Sequence, residues 1–501
     1  MITIGTPTRT PPLRLGSLGW IGAALGIALF TATQPLPVVA AGLALIAFGL
    51  LALITPLAAV LALLTLAPLR TLIATEAPWP LPLDIGQLSL VAVIAVWVAY
   101  RVVHQQRLPR LVWSPIYAPV LVFFSVAGMS AFDAVSLGAW INEWLKWAQI
   151  VVLIALVLDL AVGRAWEWLV FGLIAAGVAN AVIGIYEFFG GSGALHLLVN
   201  ERFFRAFGTF GQPNPFGGFM GLLAPLAITM ALGYGWRVCL SLRTAYQSIR
   251  SADVLWAGFY GVAAGLIGVA ALLSWSRGAW LGLAVALMVV VFALPRRIWQ
   301  GIGLVAVITV LGGGLWLSGR LPASIVDRVN SAAVESFAFT DVRGVNITPE
   351  NYALIERFAH WQAAINMATA RPWLGVGFGN YEAAYADHHV LNWELALGHA
   401  HNYYLNILAE TGVIGLAAYL VLWGSLGVMT WRTRRHPDII ARLTSVGLLG
   451  TWAYLSVHSL TDNLYVNNLF LHLGVMLGLL AVLHRQTFRQ VLSSGHHRRV
   501  T

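Results

Sequence analysis

The chain has 501 residues, 59% of them hydrophobic and only 10% charged. A soluble protein of this size needs far more charge on its surface, so that class is excluded. The net charge of +9 reads as arginines marking cytoplasmic loops, not as a surface for nucleic acid. The single cysteine, Cys239, rules out an intrachain disulfide and says nothing about redox compartment.

Apolar runs long enough to span a bilayer as helix recur along the whole length. The expected fold is all-α: a polytopic membrane protein of about fourteen transmembrane helices with one long extracytoplasmic loop. The expected spans lie near 17–33, 38–53, 55–69, 87–100, 114–131, 143–161, 165–189, 214–233, 254–273, 278–294, 299–318, 412–431, 441–459 and 467–483. The second and third read equally as one re-entrant hairpin. The first apolar run, Leu18 to Phe30, follows Arg9 and Arg14 without a clean small-residue cleavage site, so it reads as a retained helix.

Positive-inside bias orients these spans with the N-terminus inside. Arg101, Arg107 and Arg110; Arg164; Arg237, Arg243 and Arg250; Arg296 and Arg297; and Arg432, Arg434, Arg435 and Arg442 then fall on cytoplasmic loops. Arg70, beside Glu76 and Asp84, breaks the pattern. Outside stand 190–213, the turn Ser274–Arg277 and the long loop 319–411. That loop carries nine of the twenty acids and is long enough to suggest function. Within it, 350–370 reads as an amphipathic helix with Leu354, Phe358, Trp361, Ile365 and Met367 on one side and Glu356, Arg357 and His360 elsewhere. Arg371-Pro372 ends it. A glycine-rich turn follows, then a histidine-bearing turn and a helix that breaks at Glu410-Thr411-Gly412. The expected division is a 1–164 N-terminal bundle, a 165–431 core and 432–501 as C-terminal helices and tail.

Three arginines oppose the positive-inside bias: Arg202, Arg205 and Arg277. An ionised residue at a membrane boundary is costly unless paired, so each is a functional candidate. A guanidinium fork suits a pyrophosphate; an arginine that snorkels to lipid phosphate has the same pattern. Pro213-Asn214-Pro215 reads either as a helix start or as a substrate-binding turn. His388, His389, His399 and His401 lack the spacing of a strong metal motif. General-base work suits a histidine outside the membrane better, with an interfacial histidine of no role as the alternative. No Walker loop, GxGxxG or Asp-x-Asp site is present, which argues against ATP or a nucleotide sugar as direct donor.

Four stretches in order resemble the O-antigen ligase and O-antigen polymerase superfamily of bacterial membrane glycosyltransferases. They are Arg205-Ala206-Phe207-Gly208-Thr209-Phe210-Gly211-Gln212-Pro213-Asn214, Ser276-Arg277-Gly278-Ala279, Arg371-Pro372-Trp373-Leu374-Gly375-Val376-Gly377-Phe378-Gly379-Asn380, and His401-Asn402-Tyr403-Tyr404-Leu405 through Glu410-Thr411-Gly412. The resemblance implies a GT-C-like helical fold and a metal-independent, cofactor-free transferase. It would move a glycan from an undecaprenyl-pyrophosphate carrier to an acceptor hydroxyl on a glycan, lipid or protein, outside the bacterial cytoplasmic membrane. It implies that Arg205 and Arg277 hold the pyrophosphate, with Arg202 as a less secure third, and that His401 is the base. His399 departs from the minimal pattern and leaves open which histidine acts. Lys146, Asn214 and Asn402 stand as supporting candidates. A secondary transporter and a scaffold subunit of envelope assembly are the readings from other classes.

Overall fold

The computed structural model describes residues 55–76, 84–191, 194–199, 201–243, 250–323, 326–328, 330–331, 340–348 and 351–500, together with positions 26, 49 and 52. Apart from positions 26, 49 and 52, the expected spans 17–33 and 38–53 lie outside the described residues. Each of the other twelve coincides with a helix, and nine described helices are long and apolar enough to cross a membrane. The chain is a multi-pass, mostly helical membrane protein.

The principal helices are α1 (Pro56–Leu66), α2 (Arg70–Glu76), α3 (Ile85–Gln105), α4 (Tyr117–Met129), α5 (Leu137–Leu160), α6 (Trp166–Tyr186), α7 (Pro213–Arg243), α8 (Ser251–Leu273) and α9 (Arg277–Ala293). They continue with α10 (Ile298–Leu317), α11 (Tyr352–Ala370), α12 (Tyr381–Ala384), α13 (Tyr403–Thr433), α14 (Ile439–His458) and α15 (Leu469–Val500). Side-chain caps set several starts. Asp84 accepts from Gly86 and Gln87 N–H, and Asp438 accepts from Ile440 and Ala441 N–H. One small antiparallel pair joins Leu198–Val199 to Phe203–Phe204, with Leu198 opposite Phe204.

Lipid gives apolar helices no reason to hide from it, so close packing has to hold the bundle together. Glycines let backbones approach. A side chain at Gly218 would collide with Leu464, and one at Gly221 would enter the Tyr454 ring. α7 thereby lies at the centre against α14, whereas α10 is exposed along nearly its whole length. At the end away from the site described below, Asp438 receives Arg164 at 3.1 Å and Arg237 at 2.9 Å. Deeper in, Asp159 takes both Arg101 Nε at 2.7 Å and Trp97 Nε1 at 2.8 Å. Three of the arginines read as loop markers are therefore also structural partners of acids.

The glycine-rich turn is a clamp. Val376 N–H and Gly377 N–H donate to the carbonyls of Ala409 and Glu410, and Val413 N–H donates to Pro372 O. Gly412 (φ 65°, ψ −170°) breaks α13 at the expected point, and a side chain there would strike Trp373. On the other side, Val135 N–H donates to Val376 O, and Phe378 N–H donates to Ser130 Oγ at 2.9 Å. The motif thus ties the break in α13 to the α4–α5 hairpin, which fixes where the histidine turn begins.

α11 forms close to the expected bounds, but its buried face differs. Ile365 is 38% exposed, while His360 is buried. The polar residues Arg357 and His360, one turn apart, face inward because other polar groups await them there.

Candidate functional site

Arg205 is positioned by a loop held from two sides. Asn180 in α6 and Glu187 two turns later accept from the loop: Glu187 from Phe207 N–H at 3.0 Å and Gly208 N–H at 2.6 Å, Asn180 Oδ1 from Thr209 Oγ1 at 2.6 Å. Ala206 N–H donates to Leu273 O at 3.0 Å, docking the loop on the α8–α9 turn. The Arg205 guanidinium then donates to Ser274 O at 3.1 Å and to Asn214 Oδ1 at 3.2 Å.

Arg277 opens α9 directly beside that turn. The next residue must be small, since a side chain at Gly278 would run into Thr461 Oγ1. This close approach brings the α8–α9 turn against the segment that follows α14.

Between these elements lies a polar cavity of about 60 Å³, lined by Arg205, Asn214, Ser276, Arg277, Gly278, Arg328, Arg357, His458, Thr461 and Asp462. A single water needs only ~10–15 Å³. Four guanidinium groups and one carboxylate share this wall. Burial pushes the Arg205 guanidinium down to about 10, helped by repulsion from Arg277. Burial does the same to Arg328 and Arg357, each again to about 10, with the neighbouring arginines adding to the effect. Arg328 is anchored by donation to Trp275 O, with its guanidinium 5.9 Å from that ring's centroid.

Asp462 links the cavity to the histidines. His399 Nε2 lies 3.3 Å from Asp462 Oδ1, and His399 Nδ1 accepts the His401 N–H at 3.0 Å. One ligand atom from each of His399, His401 and Asp462 falls within 4.8 Å of the others. Burial alone would raise Asp462, but His399, His401 and His458 hold it below the usual carboxylate range. Burial lowers His401 to about 3, with His399 and Arg357 adding to the shift and Asp462 opposing it. His401 Nδ1 is buried with no hydrogen-bond partner among the described residues. The His401 backbone is left-handed, with φ 51°, a geometry that costs free energy for a non-glycine residue.

His360 stands edge-on to His401 with ring centroids 6.0 Å apart, and its Nδ1 is 2.9 Å from Tyr381 Oη. Burial lowers His360 to about 4. The His399–His401–Asp462 set has donors a divalent cation takes. Arg357 on the same wall opposes one.

Arg205, Arg277 and Asn214 thus share one cavity, and His399 and His401 adjoin it through Asp462. Arg202 does not line it. It is exposed and stacks on Phe203 at 5.0 Å. Lys146 is also elsewhere, bonded to Glu143 at 2.6 Å and to Tyr465 O at 3.2 Å. Asn402 caps α13 by accepting from Tyr404 and Leu405 N–H. His388 and His389 join neither group.

Arg328, Arg357 and Asp462 were not singled out by the sequence reading. Asp462, an acid just past the end of an apolar span, meets the same boundary-charge criterion as Arg277. Arg357 had a signal too, since it stands one turn before a histidine on the same helix. Arg328 carries no local signal.

None of the curated proteins matches the chain. Residues 262–420 match the family model described as O-antigen ligase. The matched stretch runs from within α8 through Arg277, Arg328, Arg357 and both histidines into α13, whereas Arg205 and Asp462 lie outside it. The match covers about a third of the chain, and over that stretch the chain is similar to the O-antigen ligase family, in line with the resemblance read from the four motifs.

Proposed function

We propose that the protein transfers a glycan from an undecaprenyl-pyrophosphate carrier to an acceptor hydroxyl, with inversion, at the outer face of the bacterial cytoplasmic membrane. The observation that carries this reading is the convergence of Arg205, Arg277, Arg328 and Arg357 on one cavity beside the His399–His401–Asp462 group. Buried like charges repel each other, and a polyanion between them offsets that cost. A diphosphate ester offers several oxygens to planar forks.

The acceptor O–H gives its proton to His401 as its oxygen attacks the anomeric carbon. The bond from that carbon to the pyrophosphate oxygen breaks, and the electron pair leaves with the carrier. Arginines stabilise the charge growing on the leaving group in place of a metal. His401 suits the base because its Nδ1 has no hydrogen-bond partner among the described residues. His399 has both nitrogens committed, one to the His401 N–H and one to Asp462. A negatively charged donor beside His401 raises its otherwise low affinity for a proton. Within this reading about fourteen spans cross the membrane, and α11 with the clamp forms the outer loop.

The test is transfer from purified undecaprenyl-pyrophosphate oligosaccharide to a panel of acceptors in membranes, with wild type beside His401→Ala, His399→Ala and Arg277→Ala, chelator present. Transfer lost with His401 and Arg277 supports the reading, and the acceptor used distinguishes ligase from polymerase. Transfer unchanged in His401→Ala removes the base. No transfer to any acceptor by folded protein shifts weight to a transporter or a scaffold.

A further inference from the structure

At the end of the bundle away from the arginine cavity, α4, α13 and α15 border a groove of about 570 Å³. Its lining on α13 begins at Val421, about 14 Å past the break at Gly412 at 1.5 Å per residue. Its walls are largely apolar: Pro115 and Pro119 on one side, Val421, Leu426 and Met429 on the other. Three polar side chains stand among them, Ser425, Arg432 and His484.

The arginines of this end divide by what they do. Arg434 donates to Ala293 O and Pro295 O at 3.2 and 2.8 Å, and Arg442 donates to Leu294 O, so both hold the turn between α9 and α10. Arg432 has no carboxylate partner among the described residues and is exposed beside the groove. His484 is set by its neighbour. The Thr433 hydroxyl donates its proton to Met429 O at 2.8 Å, so at 3.1 Å His484 Nδ1–H must donate to Thr433 Oγ1. Nε2 is then an acceptor. Near Pro115, Trp113 is 71% exposed and 6.0 Å from Tyr117 between ring centroids, as aromatic residues are at a membrane–water interface.

A cation, an acceptor and an apolar trough at an interface together match one kind of molecule. We propose that this groove binds an anionic glycerophospholipid with a hydroxylated headgroup, phosphatidylglycerol being the simplest. Arg432 pairs with the phosphate, His484 Nε2 accepts from a headgroup hydroxyl, and an acyl chain lies against α4 and α13. Basic pockets between helices on the cytoplasmic side bind anionic headgroups on the same physical grounds. A choline headgroup has no donor for His484 and adds a positive charge beside Arg432.

The experiment is native mass spectrometry of the full chain, delipidated and titrated with phosphatidylglycerol, phosphatidylethanolamine or phosphatidylcholine. Phosphatidylglycerol is expected to bind best, and Arg432→Gln to weaken it about fivefold. Arg435→Gln, also exposed at this end but not lining the groove, should leave binding unchanged. Gly424→Leu tests the trough without touching charge: a Cβ at Gly424 meets nothing within 4 Å, so the variant folds and its longer side chain displaces the acyl chain. Equal binding of phosphatidylcholine, full retention in Arg432→Gln, or displacement by millimolar inorganic phosphate overturns the proposal, the last by showing a bare phosphate site.

Discussion

His399 is held between two partners, its Nδ1 accepting the His401 N–H at 3.0 Å and its Nε2 lying 3.3 Å from Asp462 Oδ1. Of the two histidines in the turn, His401 is then the one whose ring keeps a nitrogen, Nδ1, with no partner among the described residues. His401→Ala should lower kcat by about a hundredfold to ten-thousandfold, the range of general-base removal. His399→Ala and Asp462→Asn act through His401 and should cost less, with a shifted pH–rate profile. Single-turnover transfer across pH checks this; a larger loss in His399→Ala than in His401→Ala would reverse the assignment.

Arg328→Gln and Arg357→Gln should each reduce kcat/KM for the lipid donor by about tenfold to a hundredfold, the scale of one charge-assisted hydrogen bond. Arg202→Gln should change little, because Arg202 is exposed on Phe203 away from the cavity. Donor titrations separate the two cases.

The His399–His401–Asp462 set should respond to added metal and not to its removal. Chelator is expected to leave transfer intact. Zinc is expected to inhibit by taking the lone pair of His401, and chelator to restore activity. Loss of activity with chelator alone would make the trio a required metal centre.

Stability should fall in mild acid. His401 at about 3 and His360 at about 4 lie below the ordinary histidine value near ~6.5. The unfolded chain therefore binds protons first as pH drops. Their contribution is complete above the unfolded value and declines between about 6.5 and the folded values. Asp462, held low, contributes in the same direction at lower pH, its share lost as pH falls through its folded value. Thermal melting in detergent from pH 7.5 down to 4.5 should show a falling Tm; a flat or rising curve would contradict these environments.

Gly278→Ala should lose transfer while remaining folded, since its Cβ meets Thr461 Oγ1 and separates Arg277 from Asp462. Gly412→Ala should instead reduce folded yield, because it combines a left-handed backbone with a collision against Trp373. Size-exclusion yield and transfer measured on the same preparations distinguish a site defect from a folding defect.

By itself the sequence determined the membrane helices, the break at Gly412, the end of α11 at Arg371 and the candidacy of Arg205, Arg277, His399 and His401. Those features depend on hydropathy, backbone freedom and charge within a few residues, all of which are local. Tertiary structure alone decided which charges meet. Arg328, Arg357 and Asp462 are separated along the chain from Arg205 and from one another, and only the docking of the 203–210 loop, the α8–α9 turn, α11 and the segment after α14 brings them onto one wall. It also left Arg202 at the surface and set Lys146 against Tyr465 O, away from the cavity. An arginine on the polar side of an amphipathic helix leaves the same local pattern whether it faces water or a buried polar cavity; the difference lies in what packs against it.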